Sequence, residues 1–220
     1  MQLIDPQLMP VTGETPQQRL ARSFDLAGTP GEVYVESRGI PVAIAHDAGV
    51  RFDPDWNGRA AVIVAMRDEK HELRSLHGRY LKQAGDQNKM FTIGPGGGVL
   101  NVLDGLNSDP IIIVEGLFDS LSLALCGFSS IATVGRKAPW LSDFCRGKTV
   151  ILAFDGNRPG EATADFYKQF LADANVHRLT PPAHAKDWNS CLMKKGPNVI
   201  EQWIRYNLKR FSEHDTIVAE

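Results

Sequence analysis

The fold is decided by two stretches, Ile111-Ile112-Ile113-Val114-Glu115-Gly116-Leu117-Phe118-Asp119 and Val150-Ile151-Leu152-Ala153-Phe154-Asp155-Gly156-Asn157-Arg158-Pro159-Gly160-Glu161. Each is an unbroken apolar run, rich in β-branched residues, that stops on an acid and a glycine. Such a run reads as a strand covered on both faces, as in a parallel sheet between helices. Ligands of these sheets sit beyond the carboxyl ends of the strands. Glu115 and Asp155 therefore fall where chemistry is usually done. If the two strands are neighbours, their carboxylates can share a divalent cation.

Around these stretches the C-terminal part alternates strand and helix. The pattern predicts strands at 111–114, 130–134, 149–154 and 176–179 and helices at 117–125 and 160–173, with a last helix from Pro197 to about Phe211. This order implies an α/β fold with a small parallel sheet flanked by helices. Gly94-Pro95-Gly96-Gly97-Gly98 marks the approach to a boundary. It lacks the lysine and hydroxyl of a P-loop, so a connector is the preferred reading and a backbone phosphate contact the alternative. Upstream, a smaller α+β subdomain is expected. Thr15 caps a helix from Pro16 to Leu26, a second helix covers Glu32–Ser37, and Ala60–Met66 pairs as a hairpin with Glu72–Leu81 across the turn at Asp68-Glu69-Lys70. The expected division is a lead-in over 1–16, the α+β subdomain over 17–104 and the α/β domain over 105–220.

The 220 residues suffice for a real core, and the formal net charge of -2 gives no global signal for nucleic acid. No apolar run approaches a membrane span and the N-terminus lacks the pattern of a signal peptide, so a cytoplasmic protein with no membrane partner is expected. The three cysteines, Cys126, Cys145 and Cys191, fit neither a disulfide framework nor a zinc motif.

Val114-Glu115-Gly116 with Asp119, followed by Asp155-Gly156-Asn157-Arg158-Pro159-Gly160, resembles the Toprim domain of primases, topoisomerases and related nucleases. The resemblance extends to the catalytic core of bacterial DnaG-type primases. Val35-Glu36-Ser37-Arg38-Gly39-Ile40, Ser75-Leu76-His77-Gly78-Arg79-Tyr80-Leu81, Lys89 and Lys186-Asp187-Trp188-Asn189 match that core in order and spacing, over about residues 17–205.

The resemblance implies a primase-like nucleotidyltransferase that makes short RNA primers on single-stranded DNA from nucleoside triphosphates, with Mg²⁺ or Mn²⁺. Glu115 and Asp155 would be catalytic, and Glu115, Asp119, Asp155 and Asp187 would hold metal through hard oxygen ligands. Arg79, Lys89, Asn157, Arg158, Lys186 and Asn189 would face nucleotide or nucleic acid. The alternatives are a Toprim phosphodiesterase or nuclease, and a non-catalytic nucleic-acid- or nucleotide-binding protein. Two positions depart from the family pattern: Asn157 and Asn189 stand where the second acid of each Asp-x-Asp pair is usual. Asparagine offers a carbonyl oxygen but no charge, so restoring Asp at both is expected to tighten metal binding. The family's zinc module has no counterpart in this sequence. Either a separate zinc-module protein supplies that function or the sequence is part of a longer one, and a helicase is a further possible partner. Trp140 and Trp188 fall near the presumed catalytic edge, where an aromatic ring can stack on a base. Core packing is the preferred reading for Trp140.

Overall fold

The computed structural model describes residues 13–82 and 88–218. Most of the expected lead-in, residues 1–12, lies outside the described residues. The chain forms two compact units. The first takes the described residues up to Asn101 together with Ala132–Leu141, and the second takes Val102–Ile131 and the described residues from Ser142.

The first unit opens with helix α1 (Pro16–Arg22). Thr15 Oγ1 accepts from Gln18 N at 3.2 Å and Gln18 Oε1 accepts from Thr15 N at 2.9 Å, a reciprocal cap that fixes the helix start. The helix is shorter than expected because Ser23 turns extended and Phe24–Asp25 becomes strand β1, paired with β2. Helices α2 (Pro30–Glu36) and α3 (Val42–Asp47) follow. Strands β2 (Arg51–Trp56), β3 (Arg59–Arg67), β4 (Leu73–Tyr80) and β5 (Met90–Ile93) complete an antiparallel sheet in the order β1-β2-β3-β4-β5. The β3–β4 hairpin turns on Asp68, whose Oδ1 accepts from the amides of Lys70 and Glu72 at 3.0 Å each.

One face of this sheet packs a core cluster of Trp56, Ala61, Ile63, Leu76, Tyr80 and Ile93, and the other face buries Val62, Val64 and Met66 completely as well. At its edge Arg19, 2% exposed, donates from Nε to the fully buried Asp53 at 2.8 Å. A buried pair of this kind adds little net stability, yet breaking it strands a charge. The glycine run is docked on the sheet: a Cβ at Gly98 would lie 2.7 Å from the carbonyl carbon of Met66. Only glycine allows that approach, which forms the bridge between Arg67 and Val99.

The second sheet has the order β10-β9-β7-β8-β6. Its strands are β6 (Leu100–Val102), β7 (Ile111–Val114), β8 (Ser130–Ala132), β9 (Thr149–Leu152) and β10 (Asn175–Arg178). Strands β7, β9 and β10 are parallel, with Ile113 opposite Leu152 and Ile151 opposite His177. The acidic stretches thus end neighbouring strands. Helices α4 (Leu117–Leu125), α5 (Leu141–Phe144), α6 (Arg158–Phe170), α7 (Trp188–Lys195) and α8 (Pro197–Val218) accompany the sheet. Helix α4 is apolar almost all round because it packs on both α7 and α8. The fold is the expected mixed α/β architecture with sheets flanked by helices, the second sheet partly parallel. Strand β8 is shorter than the expected 130–134 because Val134 and Gly135 both turn left-handed, at φ 47° and 71°. Among the described residues no helix is long and apolar enough to cross a membrane.

Candidate metal and nucleotide site

Glu115 leaves the carboxyl end of β7, and Gly116 starts α4 with no side-chain cap. Asp119, in the first turn of α4, caps another helix. Its Oδ1 accepts from the amides of Trp188 and Asn189, at 3.0 Å and 3.3 Å, at the start of α7. One oxygen of Asp119, expected as a metal ligand, is thus spent on capping α7.

Beyond β9, Asp155 is held from three directions. Asn157 Nδ2 donates to Asp155 Oδ2 at 3.2 Å, while Asn157 Oδ1 accepts from Gly160 N at 2.9 Å and so caps α6. The helix start presses on the acid's backbone: a Cβ at Gly160 would lie 2.2 Å from Asp155 O. At Gly156 the nearest atom would be 3.6 Å away, so the close approach to Asp155 is made at Gly160.

The third hold is Arg178, which the sequence reading missed. Its guanidinium donates to the carbonyls of Leu152, Phe154, Asp155 and Leu179 at 2.8–3.0 Å and to Glu161 Oε1 at 2.6 Å. No local pattern announces it, because its partners come from three separate segments.

Gly156 N donates to Lys186 O at 3.0 Å, which joins the Asp155 loop to the loop that carries Asp187. Asp187 caps α7, accepting from Ser190 N at 2.6 Å through Oδ1. Arg158 and Lys186 are exposed beside these acids. Asn189 does not face them. It is 2% exposed and donates from Nδ2 to Ser122 Oγ of α4 at 3.1 Å, so the expected nucleotide-facing role is corrected: its amide is spent on helix packing. Trp188 is fully buried and donates to Ala153 O at 2.7 Å, which removes it as a stacking surface for a base.

The acids press on one another. Burial raises the Glu115 pKa, and Asp155 and Asp187 raise it further against the opposing charge of Lys186. Asp155 is raised by burial and by Asp187, opposed by the Asn157 hydrogen bond, Lys186 and Arg178. Asp119 is pushed up to about 8, first by burial and then by Asp155 and Asp187. A divalent cation would relieve this crowding, and its preferred ligands are hard oxygens of this kind. The donor chemistry fits Mg²⁺ or Mn²⁺, although among the described residues no three acids, imidazoles or thiols gather closely enough to bind a metal.

In the first unit Arg79 is half-buried on β4, and Lys89 is exposed just before β5. Tyr80 N donates to Lys89 O at 3.1 Å, so the two cations lie on neighbouring strands' ends. Trp140 donates to Gly97 O at 2.6 Å within the same unit.

Comparison with known proteins agrees with this layout. Residues 110–198 match the Toprim domain family, and residues 14–95 match a family described as a domain of unknown function (DUF7146). The Twinkle homolog protein, chloroplastic/mitochondrial, of Arabidopsis thaliana is 28% identical over 134 residues, covering 48% of this chain and 19% of its own length. The DNA primase DnaG of Methanococcus vannielii is 30% identical over 125 residues, covering 52% of this chain and 27% of its own. The chain therefore spans about a fifth to a quarter of the length of these two relatives. The solved DnaG primase catalytic domain bound to ssDNA superposes with a TM-score of 0.64 at 17% identity, covering 87% of this chain and 77% of that one. Residues 110–198 are thus a Toprim domain, and the chain that carries them has the fold of a DnaG-type primase catalytic core.

Proposed function

We propose that the chain is a primase-like nucleotidyltransferase core, which joins ribonucleotides into short primers on single-stranded DNA. The observation that carries this reading is the pairing of β7 with β9. It puts Glu115 and Asp155 at the carboxyl ends of adjacent parallel strands, and the Asp155 charge raises the proton affinity of Glu115. Glu115 and Asp155 would hold Mg²⁺ or Mn²⁺, with Asp187 and the second oxygen of Asp119 assisting directly or through water. A cation there supplies charge neutralisation of a triphosphate and a lowered pKa for an attacking hydroxyl. Phosphoryl transfer otherwise asks the protein mainly to position groups.

That positioning falls to this chain's own residues. Asn157, Gly160 and Arg178 fix Asp155, and Asp119 fixes the start of α7 on which Asp187 sits. Arg158 and Lys186 attract the nucleotide's phosphates. Arg79 and Lys89 take phosphates of template or nucleotide, contacts that position without reading sequence. A zinc module, in a separate protein or elsewhere in a longer chain, would supply template recognition, and a helicase is a further partner.

The test is incorporation of labelled ribonucleotide on a single-stranded template with Mn²⁺. Label should enter short oligoribonucleotides in the wild type, slowly or only with such a partner, and Asp155→Ala should abolish it while the protein stays folded. The non-catalytic reading has one observation in its favour: among the described residues no three acids, imidazoles or thiols converge on a metal position. It wins if single-stranded DNA binds but label never enters. Cutting of labelled DNA that stops in Asp155→Ala would establish the nuclease instead.

A further inference from the structure

The core cluster around Ile63 is bordered by Leu20 of α1 and Ala65 of β3, both packed against it and both only half-buried. These two residues also line a cavity of about 580 Å³, whose other walls come from the turn after α3, from β2 and from the start of β6. Every lining residue belongs to the first unit. The space exists because its walls are small: Ala21, Ala48 and Gly49 line it together with Ala65. A cavity of this size accommodates a small organic molecule and far exceeds what a lone inorganic ion fills.

The polar wall is cationic. Arg51, Arg67 and His71 line the cavity, and no acid does. The charge of Arg51 is already matched, because Nη1 donates to Asp25 Oδ1 at 2.6 Å while Nε and Nη2 donate to Ser23 at 2.7 Å and 2.6 Å. Arg67 differs. Its Nη1 donates at 2.9 Å to the carbonyl of His71, a residue held left-handed at φ 62°. Asp68, next in the chain, turns its Oδ1 onto the amides of Lys70 and Glu72 instead. Among the described residues no carboxylate pairs with Arg67. The cavity thus presents one guanidinium that is fixed through a backbone carbonyl and carries an unmatched charge.

We infer that this cavity binds a compact organic anion. One phosphate or carboxylate sits on the Arg67 guanidinium, and an uncharged body lies against Leu20, Ala48, Ala65 and Leu100. The planar fork of a guanidinium meets two oxygens of either group at once. A guanidinium already held in place loses little freedom when the ligand arrives. With no acid among its lining residues the site needs no divalent cation, which separates it from the acidic edge of the second unit. It also stands independently of the primase-like reading.

The test is calorimetry on the full chain in EDTA, with AMP, naphthoate and inorganic phosphate as probes. AMP or naphthoate should bind, the first naming an organic phosphate as the ligand and the second a carboxylate. Arg67→Ala should weaken that binding by about ten- to a hundredfold, and Arg67→Lys, which keeps the charge without the fork, should recover part of it. Ala65→Leu fills the cavity and leaves the charge, so it should weaken the organic probe while the protein keeps its circular dichroism spectrum. Should Ala65→Leu fail to fold, Ala48→Leu fills the same space from the turn after α3. Three results would overturn the site: no binding of either organic probe at millimolar concentration, unchanged binding in Arg67→Ala or in a folded cavity-filling variant, or inorganic phosphate binding as tightly as AMP. Loss of the organic probe in Asp155→Ala would place it at the acidic edge and overturn the site as well.

Discussion

Asn157 and Asn189 look equivalent in the sequence and are opposites in the structure. Asn157 caps α6 and holds Asp155, so Asn157→Asp puts a charge at the acidic edge and should still tighten Mn²⁺ binding. Asn189 is buried against Ser122. Asn189→Asp would lose a donor and bury a charge, at a cost of about 2–4 kcal/mol in denaturant unfolding and with no gain in Mn²⁺ affinity. Tighter Mn²⁺ binding at unchanged stability would show that residue 189 turns toward the acids. His77 sets a second expectation at this scale. Its folded pKa of about 4 lies below the ordinary 6.5, so the unfolded chain binds the extra proton first. The associated stability is complete above about pH 6.5 and is lost as pH falls toward 4, by up to roughly 3 kcal/mol. His77→Gln should flatten the dependence of unfolding free energy on pH across that window. Identical slopes in variant and wild type would show that His77 is not held neutral.

The elements were legible where the signal is local. The apolar runs of β7 and β9, the alternation of the β3–β4 hairpin and the Thr15 cap all stand within a few residues of one another. Short strands such as β6, with three residues, leave too little pattern to read. The links between elements were illegible for a different reason. Asp119 meets the amide of Trp188 across 69 positions, and Arg178 meets Leu152 O across 26. Hydrogen bonds of that reach depend on packing, which no window of sequence contains. Gly160 shows the consequence at the start of α6. Gly160→Ala would drive a methyl into Asp155 O and should cost about 2 kcal/mol or more while displacing the acid. Gly156→Ala meets only ordinary contacts and should cost much less. Equal unfolding midpoints for the two variants would contradict this account of how α6 positions Asp155.

Across the whole molecule, the expected site residues fall in both units. The second gathers acids at the carboxyl edge of a partly parallel sheet, and the first carries Arg79 and Lys89 at the ends of neighbouring antiparallel strands. The sequence order of the motifs pointed to this fold. It did not reveal that residues 132–141, and Arg136 with them, fold with the first unit. The central claim is that Glu115 and Asp155 share a divalent cation. Its most direct measurement is anomalous diffraction from crystals soaked in millimolar Mn²⁺ with a nucleoside triphosphate. A peak between the Glu115 and Asp155 carboxylates, absent in Asp155→Ala, is the result expected. A peak elsewhere, or none with nucleotide bound, would contradict the claim.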